Sequence, residues 1–205
     1  MPNQPLELPA QAPVMVLPTM LFPHSLLPLY IFEPRYRAML TGALDEQRVL
    51  CIALVKRGVE KWSSVADFHH VAGLGLVRAC VGREDGTSHL VLQGLARVAF
   101  SGFTQEAPFP IAQIRELRSE PAVESETAML VPKLLAACSE LLQQGTGVPE
   151  ALDDQLARID NPGQLADVVA HTFLRDAYRR QEVIEELRVG ERLRLLLRHL
   201  AAEMA

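Results

Sequence analysis

The hydrophobic positions of the chain fall into two rhythms: short strand-like runs from about Val14 to Leu117, and helical stripes after Ser119. In the first region Val49-Leu50-Cys51-Ile52-Ala53-Leu54-Val55 is apolar at every position, the pattern of a strand covered on both faces, and it is placed in the core. Val71 to Val81 continues in β-branched and small residues, and its glycines at 73 and 75 predict a bulge or sharp bend. Glu84-Asp85-Gly86-Thr87 predicts a hairpin turn into Ser88–Gln93. Gly94 is expected to interrupt that strand, Arg97 to Phe103 to form another, and Ile111 to Leu117 a further one behind Pro108 and Pro110. Several short strands cornered by glycine and proline predict a barrel or strongly bent sheet.

Pro28 and Pro34 bracket an apolar run, and each biases the residue before it toward extended backbone, so Leu29 to Phe32 is predicted as a short strand. Pro34 suits the first position of a helix, where a missing N–H costs nothing, and Tyr36, Met39 and Leu40 then share a buried face. Glu33, Arg35 and Arg37 crowd this strand-to-helix junction. A pairing of Glu33 with one of the arginines, acting as a structural clamp, is the expected arrangement.

Beyond Ser119, Leu130, Leu134, Ala137, Cys138, Leu141 and Leu142 form one helical stripe, with Pro132 near its start and Gly145 and Gly147 beyond its end. Asn161-Pro162 predicts an N-cap and first helical residue, opening a helix with Leu165, Val168, Val169, Thr172 and Phe173 on one side. Val183, Ile184 and Leu187 give a third stripe. Leu193, Leu196, Leu197 and Leu200 give a fourth, separated from it around Gly190. Short connections predict antiparallel neighbours in a small bundle. The fold class is thus α+β, divided into a leader over 1–12, a β domain over 13–118 and a helical bundle over 119–205.

Composition narrows the function more than the fold. The first thirteen residues, with prolines at 2, 5, 9 and 13, have neither a basic start nor a continuous apolar core, and no apolar run approaches the roughly 20 residues of a bilayer span. A cytoplasmic protein without a membrane partner is expected. Cys51, Cys80 and Cys138 are widely spaced and outside any C-x-x-C pair, which argues for reduced, buried thiols. Net charge is −5, with eleven basic and ten acidic residues through Arg118 and nine basic against fifteen acidic beyond it. Neither half has the basic footprint of a nucleic-acid binder.

The sequence contains no G-x-x-x-x-G-K-[ST] loop and no G-x-S-x-G elbow, and Gly73-Leu74-Gly75 lacks the third glycine and following helix of a dinucleotide site. Lys56, Lys61 and Lys133 stand in no Ser-Lys dyad context. Asp67 with His69 and His70 invites a metal, but adjacent residues on a strand point to opposite faces. Asp153-Asp154 and Glu185-Glu186 are read as solvated helix faces. No catalytic residue, cofactor or metal is assigned. The one hint of recognition is the stretch from Lys56 to His70, a long excursion carrying Trp62 and Phe68, which are candidate partner contacts on a loop.

The run Leu17-Pro18 to Phe22-Pro23, followed by Leu26-Leu27-Pro28-Leu29-Tyr30-Ile31-Phe32-Glu33-Pro34-Arg35-Tyr36, resembles the N-terminal, substrate-binding domain of Lon proteases. Gly58, Val71-Ala-Gly-Leu-Gly75, Leu92-Gln-Gly-Leu-Ala-Arg97, Pro110-Ile-Ala and Asp160 to Asp167 continue the resemblance in order, over about residues 13 to 203. It implies a PUA-like β domain with a short helix and then a helical bundle, in which Pro28, Glu33, Pro34, Arg35 and Tyr36 mark the fold. It brings no catalytic residues, and the chain is expected to stop before the ATPase module and Ser-Lys peptidase of a full-length Lon. The function implied is a stand-alone, non-enzymatic module that binds a polypeptide and delivers it to a separate protease. Two alternatives stand beside it: an enzyme with an unrecognised site, for example one using His69 or His70, and, by analogy with other PUA-like barrels, an RNA binder.

Overall fold

In the computed structural model, residues 8–143 and 152–204 are described. The strands are β1 (Gln11–Leu17), β2 (Leu26–Ile31), β3 (Val49–Leu54), β4 (Val71–Gly82), β5 (Ser88–Gln105) and β6 (Ile111–Glu116). The helices are α1 (Pro34–Asp45), α2 (Glu124–Gln143), α3 (Leu152–Ala157), α4 (Pro162–Phe173), α5 (Ala177–Glu185) and α6 (Val189–Glu203). Strand β1 begins two residues inside the stretch read as leader. Gly145 and Gly147 lie outside the described residues.

The sheet runs in the order β2-β5-β4-β3-β1-β6, and β6 also pairs with β5. Its bending follows from the length of β5, whose first half pairs with β2 and β4 and whose last residues turn back onto β6. Only β1 and β3 are parallel, joined through α1. Cys51, Ile52 and Ala53 of β3 are fully buried, as an unbroken apolar run requires.

Gly94 does not end a strand. β5 passes through it, and Gly73 and Gly94 instead let the segment Leu21–Phe22 lie directly on the sheet: a Cβ at either position would overlap a carbonyl of that segment. The expected bulges are nearby, between Leu74 and Gly75 and between Val77 and Ala79. The predicted hairpin joins β4 to β5, with Gly86 at φ 77° and Asp85 accepting from the Thr87 backbone and hydroxyl.

Leu21–Phe22 also carries the fold from sheet to bundle, because Met20 and Phe22 are buried among the leucines of α2, α4 and α6. Gly190 turns out to be the second residue of α6, not a break. A Cβ there would meet the Glu126 carboxylate of α2, and the chain breaks instead over Glu186–Arg188. Helix α3, which has no stripe of its own in the sequence, is tied to α2 where Ser139 donates to Asp153 at 2.7 Å, so that this aspartate is not simply solvated.

The two halves are locked by charge at their centre. Arg97 of β5 and Arg192 of α6 both donate to Oδ1 of Asp167 on α4, at 2.5 and 3.2 Å, and both also donate to the Ser119 hydroxyl at 2.9 Å. All three ionic side chains are buried. Burial pushes the Asp167 carboxyl above its ordinary range while the two guanidiniums pull it back, and burial lowers Arg192 to about 10. Gln181 of α5 adds a bond to the Val71 carbonyl at 3.0 Å.

Candidate binding face

The corner at Glu33-Pro34-Arg35-Tyr36 is a structural knot. Arg35 pairs with Glu33 at 2.7 Å and its guanidinium lies over the rings of Tyr36 and Trp62, 4.7 and 4.5 Å from their centroids. The buried Tyr36 hydroxyl donates to the Val16 carbonyl and accepts from Val16 N–H and Trp62 Nε1. Burial raises its pKa.

Trp62 and Phe68, expected as exposed contacts on their loop, are both buried within the chain. Trp62 is spent on Tyr36 and Arg35, and Phe68 is fully buried against Phe100 and Phe103. The excursion that carries them is ordered by its own polar bonds: the Asp67 carboxylate accepts from Ser63 and Ser64 N–H, and Lys56 donates to the Ala66 carbonyl. Asp67 is consequently held below the usual carboxylate range. His69 turns to Glu185 of α5 at 3.5 Å while His70 contacts the Val65 carbonyl at 2.8 Å, so the two rings do not converge. Among the described residues no group of three or more His, Cys, Asp or Glu side chains gathers as metal ligands. No described helix is long and apolar enough to cross a membrane.

The unexplained surface lies on β2 and the hairpin beside it. Alternation along β2 turns Leu27, Leu29 and Ile31 inward and Leu26, Pro28 and Tyr30 outward. The register then sets Leu26, Pro28 and Tyr30 beside Gln93, Val91 and His89 of β5, and these beside Leu76, Ala79 and Val81 of β4. Phe32, just past β2, stacks on Tyr30 with centroids 5.8 Å apart, and Tyr30 in turn lies 4.8 Å from the His89 ring.

Leu26, Phe32 and Val81 are 58%, 59% and 66% exposed, and Val81 also lines a shallow depression of about 420 Å³ with Pro28, Tyr30, Ala79, His89 and Val91. Apolar side chains grouped in this way, rather than scattered singly, mark an interaction surface. The signal was present in the sequence: residues 26–32 are apolar at both parities, as in β3. In β3 both faces are covered. β2 sits at the sheet's edge with one face in water, so the same pattern leaves a row of apolar side chains outside.

One group couples this face to the bundle. His171 of α4 packs edge-on to Phe22 and contacts the Leu26 carbonyl through Nε2 at 3.1 Å, while its buried Nδ1 has no partner among the described residues. Burial, and then Arg180, lower its pKa from an ordinary value of 6.5. The folded chain thus takes up this proton less readily than the unfolded one. The stabilisation from neutral His171 is complete above about pH 6.5 and is lost as pH falls toward the folded pKa, with a slope of up to about 1.4 kcal/mol per unit. Urea midpoints from pH 8 down to pH 5 should fall less steeply in His171→Gln than in the parent. Parallel profiles would remove this role from His171.

Residues 11–202 match the family described as the ATP-dependent protease La (LON) substrate-binding domain. The chain is 26% identical over 196 residues to Lon protease of Desulfosudis oleivorans, covering 95% of this chain and 24% of that protein. It is 24% identical over 183 residues to Lon protease of Escherichia coli, covering 89% and 23%. The chain thus spans about a quarter of the length of these curated relatives. Among solved structures, the N-terminal domain of Mycobacterium avium complex Lon protease superposes with a TM-score of 0.72 at 18% identity, over 93% of this chain and 98% of that one. The Lon N-terminal domain protein from Xanthomonas campestris gives 0.66 at 15% identity, over 92% and 97%.

Proposed function

The chain belongs to the LON substrate-binding domain family, and from that premise we propose that these residues form a non-enzymatic polypeptide-recognition module whose contact face is the outer surface of β2 and the β4–β5 hairpin. The observation that carries this assignment is the continuous exposed apolar and aromatic row Leu26, Pro28, Tyr30, Phe32 and Val81 in a domain of that family. Native proteins bury such side chains, so the polypeptide engaged is one that is unfolded or has an unfolded segment. The module holds that polypeptide for a protease. ATP hydrolysis and peptide-bond cleavage belong to other domains or other chains.

The test is binding of a fluorescently labelled protein kept unfolded by reduction and alkylation, compared with its native form. The intact chain should bind the unfolded form preferentially. Tyr30→Asp and Val81→Asp should each weaken that binding by about tenfold, the effect of placing a charge in an apolar contact, with far-ultraviolet circular dichroism unchanged. Equal binding of both forms, or binding indifferent to both substitutions, would overturn the assignment.

A further inference from the structure

A polypeptide can meet this part of the molecule in two ways, by adding a strand to the free edge of β2 or by laying its side chains across the outer face. The backbone of β2 decides between them. Gly94 N–H donates to the Ser25 carbonyl, so Ser25 faces β5, and by the alternation of an antiparallel ladder the backbone groups of Leu27, Leu29 and Ile31 do as well. Leu26, Pro28 and Tyr30 turn theirs to the free edge. There the Leu26 carbonyl is already engaged by His171, and Pro28 has no N–H to give. Only Tyr30 keeps both a donor and a free acceptor. A strand arriving at this edge would find one complete pairing position, which is how proteins protect an edge from addition.

The outer face, by contrast, is open and carries a sign. Its members Leu26, Pro28, Tyr30, Leu76, Ala79, Val81, His89, Val91 and Gln93 include no carboxylate, and the guanidinium of Arg78 stands exposed at the bulge between Val77 and Ala79. Resting on the functional assignment above, we propose that the occupant is an extended polypeptide segment recognised through apolar or aromatic side chains with acidic neighbours, lying across the outer face and not paired with the β2 edge. The hairpin bulge is then a specificity element: it lifts Arg78 out of the alternation and sets a cation beside an apolar bed.

Four labelled peptides with one apolar-aromatic core decide this with the intact chain: one flanked by aspartates, one by lysines, and two aspartate-flanked and N-methylated at alternate core amides, one in each parity. The aspartate-flanked peptide should bind about fivefold tighter than the lysine-flanked one at low salt, with the gap closing at high salt and in Arg78→Glu. N-methylation should change its affinity by less than about threefold, since no backbone pairing is lost. A preference for lysine flanks, or a roughly tenfold loss on N-methylation in either parity, overturns the proposal while leaving the face as the binding site. Failure of every peptide to bind, together with undiminished capture of unfolded protein by Tyr30→Asp, overturns the functional assignment itself.

Discussion

Asp167→Ala should cost about 3–5 kcal/mol of stability, because it strips the shared carboxylate from two buried guanidiniums. Arg97 and Arg192 are 4% and 0% exposed, both bind the same Asp167 oxygen, and the Ser119 hydroxyl they also share carries no charge. Without Asp167 two buried guanidiniums repel each other where β5, α4 and α6 meet. The loss should therefore appear as parting of the bundle from the sheet, seen in urea unfolding as a lowered midpoint and in hydrogen exchange as early deprotection of α4 and α6. Asp167→Asn, which keeps the shape and an accepting oxygen but not the charge, should fall between. Replacing all three residues together, as Arg97→Met, Asp167→Leu and Arg192→Met, should recover most of the loss, since a packed apolar trio has no charge to strand. A change of less than about 1 kcal/mol in Asp167→Ala would show that the cluster does not hold the halves together.

That cluster marks where sequence reasoning stopped. The division into strands and helices was legible because period and punctuation carry it: the β3 run, the Asp-Gly hairpin, Pro34 opening α1 and Asn161 capping α4, where its Oδ1 accepts from Gln164 N–H. The Glu33–Arg35 pair was legible for the same reason, since its partners are two residues apart. Arg97, Asp167 and Arg192 are brought together across 70 and 25 positions of chain, and nothing local in any of them announces a partner.

The binding face was half legible. Trp62 and Phe68 looked like anchors because loop aromatics often are, but a loop long enough to fold over can bury its own rings, and this one ends against Tyr36 and Phe100. Tyr30 and Phe32 looked structural because they sit inside the motif that identifies the fold. Whether an apolar strand is doubly covered or half exposed depends on its place in the sheet order, and that order is set by pairings between β2 and residues some 60 positions away. Pro28, read as bracketing the strand, lies within β2 and is also what closes the edge beside the face.

Gly94→Ala, the addition of one methyl group, should be nearly as damaging as loss of Asp167, at about 3 kcal/mol. The new Cβ would overlap the Phe22 carbonyl and sit 3.2 Å from Pro23 Cα, and neither is the end of a side chain that could swing aside. The backbone there is pinned from both sides: Gly94 exchanges bonds with His24 and Ser25 at 3.0 and 2.9 Å, and Phe22 is buried in the bundle. Relief requires the segment to lift, which withdraws Phe22 from α4 and displaces Leu26 at the start of β2. Stability and polypeptide binding should thus decline together, a coupling not expected of Asp167→Ala under conditions where it remains folded. Gly42→Ala is the control, since its Cβ would meet nothing within 4 Å in the middle of α1 and should stabilise by about 0.5–1 kcal/mol. If Gly94→Ala matches Gly42→Ala in urea midpoint, the close approach of Phe22 to the sheet is not what fixes the bundle against it.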